Sequence, residues 1–223
     1  MGGTEADQRQ SGDEHAFIAE IVHHLSQPLT ALQCSLELSL FRDQTIDELR
    51  GSVEAALQNA ECLRQRLRLL RELNQADDPG DLSQPTDLPG LLRELREELL
   101  PLFESAGQKF QLQVDRGPLP VRGNKAKLMR ALFYFLEYLF RYSARGTTLA
   151  VRVCPGKGGQ AEISITASSC LPLGSAVENE SGPQCSCEIE IARRSFGALG
   201  GNFAEVSSAS AQSVWTATLP LAG

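Results

Sequence analysis

The run His23-His24-Leu25-Ser26-Gln27-Pro28-Leu29-Thr30 sets an imidazole five residues ahead of a proline. A histidine in that setting can carry a phosphoryl group on a ring nitrogen. An imidazole titrating in its ordinary range, about 6.5, offers a neutral nucleophilic nitrogen near neutral pH. Ile18, Val22, Leu25, Leu29, Leu32 and Leu36 form an apolar stripe at helical spacing, centred near Val22, Leu25 and Leu29. At about 100° per residue, His23 lies about 150° from that centre and His24 about 110°. His23 is therefore expected to face solvent, where a partner's active site can reach it. Pro28 removes a helical N–H and crowds the carbonyl of residue 24, so a bend is expected beside the histidine. His15 has no such context and is expected to be inert.

The elements that must position this histidine follow from the pattern around it. Residues 15–75 read as helix, interrupted near Arg42-Asp43-Gln44-Thr45. The second arm carries Leu49, Val53, Ala56, Ala60, Leu63, Leu67 and Leu70 in steps of three and four. Thr45 or Asp43 can cap it, with Asp47 and Glu48 favourably placed in its first turn. Two such arms make an antiparallel hairpin whose stripes cannot bury each other fully. Pairing two hairpins into a four-helix bundle solves that, and predicts a homodimer. Residues 1–14 are polar and expected to be disordered, and 76–87 read as a linker. From 88 to 223 helical and strand periods alternate. Helices are expected at 88–105, 124–142 and 187–198, and strands near 109–115, 148–154, 161–167, 202–207 and 213–219. The fold class is α+β, a mixed sheet with helices on one face.

The histidine run resembles the phosphoacceptor box of bacterial sensor histidine kinases, His-(Glu/Asp)-Leu-x-x-Pro-Leu. The resemblance implies that His23 is the phosphoryl acceptor, with His24, Gln27, Pro28 and Thr30 as docking or supporting residues. It also implies a carboxylate where His24 stands; an imidazole accepts a proton but brings no negative charge for its neighbour. The likeness continues beyond the linker. Asn124-Lys125-Ala126-Lys127-Leu128 opens like the family's magnesium-binding helix, and Tyr142-Ser143 closes like it. Ala198-Leu199-Gly200-Gly201-Asn202-Phe203 and Ser213-Val214-Trp215-Thr216-Ala217-Thr218-Leu219-Pro220 match its closing segments.

Three departures fall on the nucleotide chemistry the resemblance would imply. Both magnesium-side asparagines are replaced, by Tyr134 and Tyr138, and a phenol is a bulky, poor ligand for that hard ion. The adenine-binding Asp-x-Gly-x-Gly is replaced by a run starting Ala167-Ser168-Ser169. The phosphate-side Gly-x-Gly-Leu is replaced by Ser186-Cys187-Glu188-Ile189, without glycines to open the loop and with an acid that repels an anion. The aromatic residues Phe133, Tyr134, Phe135, Tyr138 and Phe140 read as core packing and a fill of the vacated pocket. ATP and magnesium are therefore not expected to bind. The function expected is a histidine phosphotransferase that relays phosphoryl groups between receiver-domain aspartates, the receiver supplying magnesium. A divergent ATP-dependent kinase and a non-catalytic adaptor or kinase inhibitor are the alternatives.

Composition is compatible with this. The chain has 223 residues, a net charge of −7 and 42% hydrophobic residues, with no dominant basic stripe, which argues against nucleic acid as partner. The arginines of residues 64–71 interleave with leucines and read as a solvated helix face. No apolar run approaches a membrane span of about 20 residues, and the N-terminus has no signal-peptide core, so a cytoplasmic location is expected. The six cysteines lack zinc-site spacing and are expected to be reduced; Cys185-x-Cys187 is a minor candidate for a redox or metal pair. Gly156-Lys157-Gly158-Gly159 lacks the Walker pattern and reads as a hairpin loop.

Overall fold

The computed structural model describes residues 3–41, 45–82, 85–115, 117–168, 187–206 and 213–222, with side chains from residue 21 onward. The chain divides into two units, Met1–Arg71 and Glu72–Gly223.

The first unit holds two long helices, α1 (Gly3–Phe41) and most of α2 (Ile46–Asn74). Helix α1 starts at Gly3 rather than after a disordered stretch over 1–14, because Glu5, Ala6, Gln8, Arg9 and Gln10 are good helix formers. Thr45 caps α2 as a capping box: Glu48 N–H donates to Thr45 Oγ1 at 3.3 Å, and Thr45 N–H donates back to the Glu48 carboxylate at 2.8 Å. The other cap candidate, Asp43, lies outside the described residues. In α1 the hydroxyls of Ser26, Ser35 and Ser39 each donate to the carbonyl four residues back. The stripes are only partly covered within one chain: Val22, Leu29, Leu36, Leu49, Val53 and Leu67 are all exposed.

In the second unit one sheet face is packed and the other half-open. The sheet has strands β2 (Lys109–Val114), β4 (Thr148–Pro155), β5 (Gln160–Ala167), β6 (Asn202–Val206) and β7 (Ser213–Pro220), in the order β2-β4-β5-β7-β6. The β2–β4 pair is parallel and the other pairs antiparallel, with registers Lys109↔Thr148, Ile163↔Ala217 and Phe203↔Ala217. Alternation makes this a two-layer structure: Ile163 and Ile165 of β5 are buried while Glu162 and Ser164 between them are half-exposed. Three helices cover the packed face, α3 (Leu88–Ser105), α4 (Lys125–Arg141) and α5 (Cys187–Ala198). Helix α4 spans the crossover that a parallel β2–β4 pair needs. Its Leu128, Ala131, Leu132, Phe135, Leu136 and Leu139 are buried and share one face, recurring at offsets of three and four. Asn124 caps it, accepting from Lys127 N–H at 3.2 Å.

Two short strands lie outside the expected elements. β1 (Thr86–Asp87) pairs with β3 (Pro120–Val121), and Val121 bridges to Leu221. The stretch read as a linker over 76–87 is thus anchored at both ends. Ala76 and Thr86 are buried, Thr86 Oγ1 donates to Gly123 O at 2.6 Å, and Asp87 caps α3 by accepting from Gly90 N–H. The Gly156–Gly159 segment joins β4 to β5 as an antiparallel hairpin loop, with φ of 68° at Gly158 and 74° at Gly159. After α5 the chain passes so close to β7 that a Cβ on Gly201 would lie 2.0 Å from Thr218 O, so only glycine fits. No described helix is long and apolar enough to cross a membrane.

Candidate functional site

His23 is exposed on α1, as the stripe geometry requires, and His24 is half-buried beside it, their rings 5.9 Å apart. Gln27 Nε2 lies 3.0 Å from His23 Nε2. An amide nitrogen only donates, so in this arrangement Nε2 of the ring accepts and the ring proton sits on Nδ1. With the amide so placed the lone pair on Nε2 is the nucleophilic one, and the Gln27 amide lies against it. Gln27 and Thr30 are exposed and open to contact, whereas Pro28 is buried and can act only as a support. Behind the histidines, Arg66 Nη1 of α2 donates to the backbone carbonyl of His24. Arg64 instead pairs outward with Glu61 at 2.7 Å, so one arginine of the run faces solvent and the other turns in.

Of the residues at the three departures, Tyr134, Tyr138, Ala167 and Glu188 are described and sit in packed or ion-paired surroundings. Tyr134 and Tyr138 of α4 are both buried; Tyr134 meets Phe133 edge-on at 5.9 Å and Tyr138 meets Tyr142 at 4.6 Å. Ala167 ends β5 fully buried, paired with Leu149 and Ser213. Glu188 opens α5, buried, 3.7 Å from Arg141, which also pairs with Glu137 at 3.0 Å. Ser169 and Ser186 lie outside the described residues. The remaining aromatics of α4 belong to the core. Phe135 packs on Phe203 and Trp215, and Phe140 on Phe103, at 4.8–5.1 Å.

A cleft of about 200 Å³ lies elsewhere in the second unit, lined by the end of α2, residues 75–80, α4 and α5. It shares none of the four described departure residues. Its charges are paired: Arg130 with Glu72 at 3.2 Å, Lys127 Nζ with Gln75 O at 2.7 Å, and nearby Arg194 with Asp77 at 3.4 Å and Glu190 at 2.8 Å. Burial, together with Arg130, pulls the Lys127 ammonium below the usual lysine range. These contacts fasten residues 72–77 to α4 and α5, which the polar composition of that stretch did not announce. Among the described residues no three His, Cys, Asp or Glu side chains are grouped to hold a metal ion. Cys34, Cys62, Cys154 and Cys187 are in no disulfide; Cys185 lies outside the described residues, so the Cys185-x-Cys187 pair does too.

The chain matches no family model. In sequence it is similar to the sensor protein BasS of Salmonella typhimurium, 26% identical over 63% of this chain and 39% of that protein. It is likewise similar to the adaptive-response sensory kinase SasA of a Synechococcus strain, 24% identical over 67% of this chain and 41% of that protein. The chain thus spans about two fifths of the length of these curated relatives. In fold it is similar to the Acinetobacter baumannii histidine kinase AdeS, with a TM-score of 0.65, 18% identity, and 90% of this chain and 98% of that one covered. Full-length ShkA, solved in complex with AMPPNP, superposes with a TM-score of 0.59 at 15% identity, over 96% of this chain and 46% of that one. A histidine kinase from Burkholderia phymatum gives 0.52 at 17% identity, over 99% of this chain and all of that one.

Proposed function

We propose that this chain, which belongs with the histidine kinase superfamily in sequence and fold, is a homodimeric histidine phosphotransferase working without ATP. The carrying observation is a contrast. His23 stands exposed with its Nε2 lone pair set by Gln27, while the tyrosines and Glu188 fill or ion-pair the places where the family handles nucleotide. These residues do not suit ATP with magnesium: a buried phenol replaces each amide ligand, and a carboxylate held by Arg141 stands where phosphates need backbone N–H groups.

In the step proposed, His23 Nε2 attacks the phosphorus of an aspartyl phosphate on a response-regulator receiver domain. The N–P bond forms as the P–O bond to the aspartyl group breaks, and the carboxylate leaves with the bonding pair. The positive charge this puts on the ring is relieved when Nδ1 releases its proton to solvent. A second receiver's aspartate reverses these events. Positioning and charge neutralisation dominate such transfers, and the exposed Gln27 and Thr30, with His24 beside them, form the surface this chain offers for docking. The uncovered apolar stripe of the hairpin supports dimerisation, since a second copy would bury Leu29, Leu36, Val53 and Leu67.

The test is to mix the chain with a phosphorylated receiver and follow acid-labile phosphate. Wild type is expected to take up the label and His23→Ala to take up none. Stoichiometric binding of magnesium-ATP at micromolar concentrations, measured by calorimetry, would sink the proposal in favour of a kinase.

A further inference from the structure

We infer that Arg66 is a positioning residue for the phosphoacceptor turn, an inference that rests on reading His23 as the acceptor. An α-helix pairs the carbonyl of each residue with the N–H four residues on, and the partner due to His24 is residue 28. That residue is a proline, which has no N–H to give. A carbonyl orphaned in this way, next to a half-buried side chain, is costly to leave unmet. Arg66 reaches across the hairpin and donates Nη1 to that oxygen. His24 and Arg66 stand equally far in sequence from Thr45, where the chain folds back, so they face each other by construction of the hairpin.

The pairing ties three features together. Pro28 opens the gap in the ladder, Arg66 closes it from the second helix, and the carbonyl concerned is that of His24, in the His24–Leu25 peptide one residue beyond His23. A guanidinium is charged at all relevant pH values and rigid, so it fixes both the distance between helices and the orientation of that peptide. The direction in which His23 presents its ring is then set by a residue on the other helix. Its neighbour Arg64, ion-paired and solvated, has no such part.

Four proteins test this: wild type, Arg66→Ala, Pro28→Ala and the double variant, with His23→Ala and Arg66→Lys alongside. In the Pro28 background, Arg66→Ala is expected to slow phosphoryl uptake from a saturating phosphorylated receiver about tenfold, leaving the half-saturating receiver concentration unchanged. Arg66→Lys, which can still donate one hydrogen bond, is expected to recover most of that loss. In the Pro28→Ala background residue 28 again donates to His24, so removing Arg66 is expected to cost less than twofold more. Equal losses in both backgrounds, or a change confined to half-saturation, would overturn the assignment. Should uptake survive in His23→Ala, the reading of His23 fails instead. Thermal unfolding of the same four proteins then decides on Arg66, whose removal must lower the midpoint only where Pro28 is present.

Discussion

The two units of this chain spend their apolar residues in opposite ways. In Glu72–Gly223, Leu88, Leu95, Leu132, Phe135, Val151, Ile163 and Leu219 are sealed between helices and sheet. In Met1–Arg71, among residues with described side chains, only Pro28 and Ala56 are buried, and leucines at helical spacing face outward. One unit completes its own core; the other carries half of one. The residues singled out for chemistry divide in the same sense: Tyr134 and Tyr138 are buried in the sheet unit, and the imidazole of His23 is exposed on the hairpin. Under the proposed function, the unit with a closed core has no need of nucleotide, and the unit with the open stripe carries the group that meets partners.

That contrast is exposed to attack at several points. His23→Ala is expected to abolish phosphoryl acceptance completely while leaving the thermal unfolding of the sheet unit in place; a coupled loss of both would merge what is here held apart. Next comes Phe135→Ala, which empties the meeting point of Phe203 and Trp215. It is expected to destabilise the sheet unit by about 3–5 kcal/mol, read by denaturant titration, with the helical signal of the hairpin surviving. Leu67→Glu, at a stripe side chain 48% exposed in one chain, is expected to turn dimer into monomer by light scattering. An unchanged mass would mean that the stripe is not the dimer seam.

The smallest effect is at the cap of α2, where Thr45→Ala is expected to cost about 1 kcal/mol. The Thr45 amide and hydroxyl hold the Glu48 carboxyl below the usual glutamate range. A folded-state pKa lowered in this way makes the cap's contribution complete above the ordinary glutamate range. It is lost as pH falls through the lowered value. Thr45→Ala removes only the hydroxyl's share, because the amide of residue 45 still donates to Glu48; the acid sensitivity of helix content should weaken without vanishing, measured by circular dichroism between pH 6 and 3.

The sequence carried the long elements because their periods are local. Leu128, Ala131, Leu132 and Phe135 mark α4 by spacing alone, and Ile163 and Ile165 mark a strand with one packed face. The exposure of His23 followed from the same arithmetic. What stayed hidden depends on distant partners. β1 and β3 are two residues each, too short to show a period, and they are held by pairing with each other and with the chain near Leu221. Ala76 and Thr86 are single buried residues in a polar, proline-bearing stretch, where composition outvotes them. Arg66 reads as one more solvated arginine until the carbonyl that Pro28 leaves behind is followed across the turn. The signal was present in the proline, since a missing N–H always poses the question of who answers the carbonyl.

The small ribbon at the edge of the sheet unit has a meaning for architecture as well as for packing. Thr86–Asp87, where the chain enters the sandwich, pairs with Pro120–Val121, and Val121 bridges to Leu221, where the chain leaves it. Arg122 N–H donates to Pro220 O and Ala222 N–H to Pro120 O, stitching the same seam. Entry and exit thus share one doorstep. A module built so can be spliced into another polypeptide, or lifted out of one, without prising apart what lies on either side.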